Sequence, residues 1–418
     1  MHAKIGIGLL LLGMALTQQT AIQITAQEER IFFGDEIVFS ARATSTTPIT
    51  AATLTVQIAG QPLDIVIPVA IIPANDVLLR HPLHVQDSNI PPFASLTYYW
   101  ELVNMAGEQM ASEVRTLRYQ DTNVPWEWTP VTDGTITVYT DGGDPALAQT
   151  ALQIAQTSLT ETCQTLQISP PSEVAIYVYP ELSQLVSALY LHGRQAQDWV
   201  AAYAIPDQRV TLVAASPGPE MLVQLQRDLP HELAHVAIYQ AAGANANRVP
   251  GWFNEGIAIT TADEPDPTLH TALDNAIREQ RQLPLEALCI ETFAALPPND
   301  AVLAYAESES IVQYIAAQFG DVGLQRLMAA YAGGATCDDG AVRALGLSMT
   351  ALEEQWLDSR ERNLTQTTTT ANPLLPWLAI WVVSLVLAAL FLAPQFEEEE
   401  TSDETTQPYT PMRPRSNR

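Results

Sequence analysis

Across residues 28–119 apolar side chains recur at every second position: Leu54, Val56 and Ile58, then Leu63, Ile65, Ile67 and Val69, then Leu96, Tyr98, Trp100 and Leu102. Period two places one face of a strand in a core and the other in water, and the runs are cut by Gly34, Gly60, Pro91-Pro92 and a turn at Asn104 to Gly107. The pattern predicts a small antiparallel β-sandwich over residues 27–120. Residues 121–134, with Pro125, Trp126, Trp128 and Pro130, break the alternation and read as a linker packed by its tryptophans. From Thr135 the pattern turns to mixed α and β: a strand at 136–139, a helix at about 145–166, a strand at 174–179, a helix from Glu181 and a strand at 209–214. The chain is then mostly helical to about Arg362, so residues 135–362 form a second, α+β domain. No internal repeat is visible.

Two apolar runs set the expected compartment. Lys4 precedes an uncharged stretch at 5–16, then polar and small residues, the pattern of a secretory signal peptide over residues 1–26, with an uncleaved anchor as the alternative. Residues 374–393 carry no ionisable group and include Trp377 and Trp381. Their length matches the ~20 residues that cross a bilayer as a helix; a buried core helix is the bland alternative. The expected layout is an extracytoplasmic body, a Thr-rich stalk at 363–373, one transmembrane helix at 374–393 and an acidic cytoplasmic tail at 394–418, in a single-pass protein of the cell membrane.

Charge and cysteines narrow this further. With 19 Lys+Arg against 47 Asp+Glu the formal charge is −28, and Lys4 is the only lysine, so no basic stripe exists to bind nucleic acid. In an exported chain two of the three cysteines are expected to pair. Cys289 and Cys337 both fall at element ends in the C-terminal half and are the favoured bridge, leaving Cys163, inside a helical pattern, as a buried thiol. In strand pattern and size the N-terminal domain is similar to immunoglobulin and fibronectin-like sandwiches.

The chemistry gathers at His231-Glu232-Leu233-Ala234-His235. Residues four apart share one helix face, so both imidazoles can reach one metal ion while Glu232 stands beside them to take a proton from bound water. Twenty residues beyond His235 lies Glu255, within Gly251-Trp252-Phe253-Asn254-Glu255-Gly256-Ile257-Ala258. An H-E-x-x-H helix followed by a W-x-N-E-G-x-A helix resembles the gluzincin metallopeptidases, the peptidase MA-like group that includes the aminopeptidase N type. The resemblance covers about residues 135–362. It implies that His231, His235 and Glu255 ligate one Zn²⁺ per chain and that Glu232 is general base and proton shuttle. Two neutral imidazoles and one carboxylate leave zinc an open position, where water becomes a usable nucleophile. The resemblance also implies an edge strand before the active helix, assigned to 209–214, along which a peptide substrate adds. It further implies a downstream oxyanion tyrosine, for which Tyr305 is the candidate and a packing tyrosine the alternative.

The sequence departs from the family pattern in two places. Pro230 precedes His231, which predicts that the zinc helix starts afresh there, with 221–229 a separate helical piece. The G-x-M-E-N string of the aminopeptidases is replaced at 201–205 by Ala-Ala-Tyr-Ala-Ile, which tilts the expectation from aminopeptidase to endopeptidase. His81 and His84 read as solvent-facing strand residues, and His192 and His270 as isolated surface histidines. The expected function is therefore a membrane-anchored extracytoplasmic zinc metallopeptidase acting on peptides or proteins. The rival is an anchored binding or adhesion protein in which the sandwich acts and the peptidase-like domain is a scaffold. Metal-dependent hydrolysis of a different substrate class is a third reading that ligand identity leaves open.

Overall fold

The structure is a computed structural model that describes residues 21–191, 201–262, 266–290, 292–293, 296–370, 380–381 and 383. The first twenty residues, His192, and all but three positions of the predicted membrane span lie outside the described residues, as does the tail. Among the described residues no helix is long and apolar enough to cross a membrane.

The N-terminal strands are β1 (Ile22–Phe32), β2 (Glu36–Ile58), β3 (Ile65–Val69), β4 (Ala74–His84), β5 (Ser95–Asn104), β6 (Gln109–Ala111) and β7 (Arg115–Arg118). They form one antiparallel seven-stranded sheet where two separate sheets were expected. The 23-residue β2 is the reason: its first half pairs with β1 and β4, its second half with β3 and β5. The change of partners falls at register irregularities around 44–51, beside Pro48. The sheet folds on itself across that seam, so Phe39 from the first half meets Tyr98 of β5 at a ring separation of 4.6 Å. The alternation survives: Leu54, Val56, Leu96, Tyr98, Trp100 and Leu102 are all buried. Ile22 is buried too, so β1 uses residues 22–26, which the sequence pattern placed within the signal segment.

The second sheet has the order β11-β12-β10-β9-β8, with β8 (Thr129–Thr132), β9 (Ile136–Thr140), β10 (Val174–Tyr179), β11 (Ala202–Ile205) and β12 (Val210–Ala214). Strands β9, β10 and β12 are parallel, and the outer strands β8 and β11 run antiparallel to their neighbours. The predicted linker therefore supplies β8 to this sheet. The predicted edge strand at 209–214 is also corrected: β11 covers it, and among the described residues β11 is the edge.

All six residues of β10 are buried because both faces of the sheet are covered. Val174, Ile176 and Val178 pack under α1 (Pro145–Leu166), while Ala175, Tyr177 and Tyr179 share a core with the N-terminal sheet. Tyr177 is the hub of that junction, stacked on Tyr139 at 4.6 Å and meeting Phe93 at 4.6 Å and Trp128 at 5.0 Å. Trp128 donates its indole N–H to the Asp121 carbonyl at 2.8 Å. The tryptophans of 121–134 thus weld the two domains, and the segment is part of the body.

After α2 (Leu182–Tyr190), α3 (Met221–Ala242) runs through Pro230 without the predicted restart. A proline inside a helix costs ~3 kcal/mol through one lost hydrogen bond and a clash. Leu225, Leu229 and Leu233, spaced by four, are fully buried on the sheet side, and each contributes ~1.5–3 kcal/mol, which outweighs the defect. The remaining helices are α4 (Gly251–Thr260), α5 (Pro267–Glu279), α6 (Pro298–Ala332), α7 (Cys337–Leu345) and α8 (Met349–Thr370). Gly320, at φ 65°, breaks α6 into two segments. Helix α8 extends eight residues into the stretch read as a stalk, and Ser359–Arg418 forms a separate unit. Cys289 and Cys337 are joined, with Cα atoms 5.9 Å apart, and Cys163 is a buried free thiol.

Candidate active site

Helix α3 carries the motif because its two faces differ. Leu229 and Leu233 face the sheet, and His231 and His235, two positions on from each, turn about 200° away toward α4. Helix α4 brings Glu255 to them. The Nε2 atoms of His231 and His235 lie 3.2 Å apart, and Glu255 Oε2 lies 3.6 Å from the first and 3.5 Å from the second. Among the described residues these three are the group able to hold a metal ion. A tetrahedral zinc site with bonds of ~2.0–2.1 Å has ligand–ligand edges of roughly 3.3–3.4 Å, so the triangle fits such an ion, and its donor set is that of a catalytic zinc.

The electrostatics point the same way. Burial alone raises Glu255, but His235 and His231 override it and hold the carboxyl well below the usual range. Burial likewise lowers His235, yet the Glu255 charge holds the imidazole up to about 9. The pocket thus pairs a fixed negative charge with an imidazole that keeps a proton until a cation replaces it, so metal uptake releases protons.

Several supporting groups have no role in the sequence reading. His235 Nδ1 lies 3.1 Å from Asn254 Oδ1; an amide oxygen only accepts, so Nδ1 carries the proton and Nε2 is turned to the site. Asn254 stood in the quoted motif beside Glu255, and that adjacency was its signal. The backbone N–H of Ala204, on the outer side of β11, reaches the Glu232 carboxylate. Burial raises Glu232, while His231 and His235 pull it back. Gly256 completes the α4 contact: a Cβ there would sit 2.4 Å from the Ser308 carbonyl and 2.5 Å from Val312 Cγ2 on α6. Gly256→Ala should therefore cost about 1–3 kcal/mol by overpacking and displace Glu255. Urea unfolding with metal analysis checks this, and unchanged values for both would show that the close approach is not needed.

Tyr305 lies on α6, within range of the Glu255 and Glu232 charges. Burial raises its pKa, and the charges of Glu255 and Glu232 raise it further, so the phenol keeps its proton. His270 is not at the metal group; it sits 3.3 Å from Glu309 on α6. His81 and His84 belong to β4, far along the chain from the motif and outside the metal group.

A family model, the Peptidase MA superfamily, matches residues 153–361, half of the chain. The chain belongs to the peptidase MA superfamily. Its match spans α3, α4 and Tyr305, so every peptidase MA site residue named from the sequence lies inside it. Among solved structures, the chain is similar to the M1 zinc metallopeptidase from Deinococcus radiodurans, at 12% identity over 81% of this chain and 94% of that one, with a TM-score of 0.38. It is also similar to OgpA from Akkermansia muciniphila, at 11% identity over 23% of this chain and 28% of that one, with a TM-score of 0.20. A comparison with curated proteins finds no match.

Proposed function

We propose that this peptidase MA protein is a zinc endopeptidase, tethered to the cell membrane with its catalytic body on the extracytoplasmic side. The observation that carries the reading is the convergence of His231, His235 and Glu255 at 3.2–3.6 Å, with Glu232 beside them. Zinc, when held by these three side chains, supplies a Lewis acid for the scissile carbonyl and a lowered pKa for water.

The protein's own groups do the rest. Glu232 takes a proton from the attacking water and returns it to the leaving amine. The Ala204 N–H fixes its carboxylate and links it to the strand on which substrate lies. That strand, β11, has one edge paired against β12 and, among the described residues, one open edge, where an extended peptide adds by main-chain hydrogen bonds. The protonated Tyr305 hydroxyl is poised to donate to the developing oxyanion. Residues 201–205 carry no carboxylate to capture a free amino terminus, which favours internal cleavage. Tethering rests on the apolar runs at 1–26 and 374–393.

The test is metal content together with a matched pair of substrates. The purified protein should hold one zinc per chain and cleave N-acetylated peptides as well as free ones. Cleavage of free peptides alone would make it an aminopeptidase. Less than one tightly bound zinc per chain, without a chelator, would favour the binding-protein reading.

A further inference from the structure

From the packing around the disulfide we infer that the Cys289–Cys337 bridge is a positioning element of the metal site, holding the first turn of α4 and, through it, Glu255. This rests on the zinc reading of that site. Both halves of the bridge reach α4. On one side, Cys289 closes a short 3₁₀ turn at Leu285–Cys289, and the next carbonyl, of Ile290, accepts the Gly251 N–H at 2.8 Å. Gly251 is the first residue of α4, and a Cβ there would lie 2.4 Å from that carbonyl and 3.1 Å from the Phe293 ring. The Phe293 ring in turn meets the Tyr305 ring edge-on at 5.4 Å.

On the other side, Cys337 opens α7. Its sulfur accepts the Trp252 indole N–H at 3.4 Å, and its carbonyl accepts the Tyr331 hydroxyl at 3.2 Å. Tyr331 packs against Phe253 at 5.5 Å. Gly251, Trp252 and Phe253, the first three residues of α4, are thus each held by one side of the bridge or by a partner of it. Glu255 follows about one helical turn after Gly251, so a rotation of that turn moves the carboxylate directly. His231 and His235 ride on α3, packed against the sheet, and His235 meets α4 through Asn254 rather than through the bridge. The bridge therefore sets the third metal ligand against a fixed pair, and Phe293 carries the same constraint to Tyr305.

The experiment uses the full chain and measures zinc affinity by competition with a chromophoric chelator, alongside kcat and KM. The C289S/C337S double variant should bind zinc roughly 10–100-fold more weakly, as loss of a supporting contact does, with kcat falling more than KM rises. Cys163→Ser should bind zinc as wild type does. Trp252→Phe, which keeps a ring and loses the N–H donor, should shift affinity in the same direction by less. Should the double variant fail to fold, Gly251→Ala pushes on the Ile290 contact with the bridge intact and must weaken zinc. A folded double variant, or a folded Gly251→Ala, with wild-type affinity and kcat overturns the positioning role. A wild-type chain that binds no zinc overturns the metal reading instead, so the two failures are distinct.

Discussion

Glu232→Gln is expected to leave the zinc content of the protein unchanged and to lower kcat for peptide hydrolysis by roughly 10²–10⁴-fold, the range for loss of a positioned general base. The substitution is close to isosteric, and the amide oxygen still accepts the Ala204 N–H, so the helix and the edge strand stay in place. What is lost is a group that accepts a proton. Because the proton moves only in the reaction, KM should change little while kcat and kcat/KM fall together. His231→Ala gives the contrasting result: it opens the 3.2–3.6 Å triangle, and metal and activity are both lost. The pair separates ligand from base by metal analysis and steady-state kinetics. Glu232→Gln that cleaves a broad peptide library as well as wild type would rule out the assigned proton transfer.

The site was legible where its geometry is local. H-E-x-x-H spans one helical turn, so periodicity alone puts His231 and His235 on one face, and the intact turn through Pro230 leaves that inference standing. Glu255 needed a second motif, because nothing within α3 says which later helix crosses it. The role of Asn254, which stood in the quoted motif, and that of the Ala204 N–H were not legible for a related reason: their partners are set by tertiary approach, His235 19 residues from Asn254 and Glu232 on helix α3 for the strand residue Ala204. The edge strand was misplaced because β11 has only four residues, too few for a pattern, while the five of β12 are all buried and four of them are apolar. Alternation gave the N-terminal strands, but two-residue periodicity is the same for two sheets and for one sheet folded along β2. The Pro230 restart failed because a local rule met a packed face: three buried leucines outweigh one missing hydrogen bond.

Glu307 is the position where buried charge should be visible in stability. It lies on α6 two residues past Tyr305 and is fully buried; one oxygen accepts the Leu283 N–H at 2.9 Å, and the other has no hydrogen-bond partner among the described residues. Glu353 on α8 accepts the Leu285 N–H at 3.0 Å, so two carboxyl groups grip the same short stretch of chain. Burial first, and the Glu353 charge after it, push Glu307 up to about 8 from an ordinary 4.5, against the opposing pull of the Leu283 N–H. The native state therefore holds a proton that the unfolded chain releases. Stability from this group is fully present below about pH 4.5 and is lost as pH rises through about 8, because folding must then either keep that proton or bury the charge. Across that window the loss is on the order of 5 kcal/mol, since each pKa unit is about 1.4 kcal/mol. Glu307→Gln keeps an acceptor for Leu283 and cannot ionise. Its unfolding free energy should therefore fall less than that of wild type between pH 5 and 8, with the difference growing steadily toward the alkaline end. Urea titrations of both proteins across that range measure the difference directly and cancel every other titrating group. Parallel curves would mean that Glu307 is ionised in the folded protein, and that the buried pair is held by a cation or by a rearranged segment at 283–285.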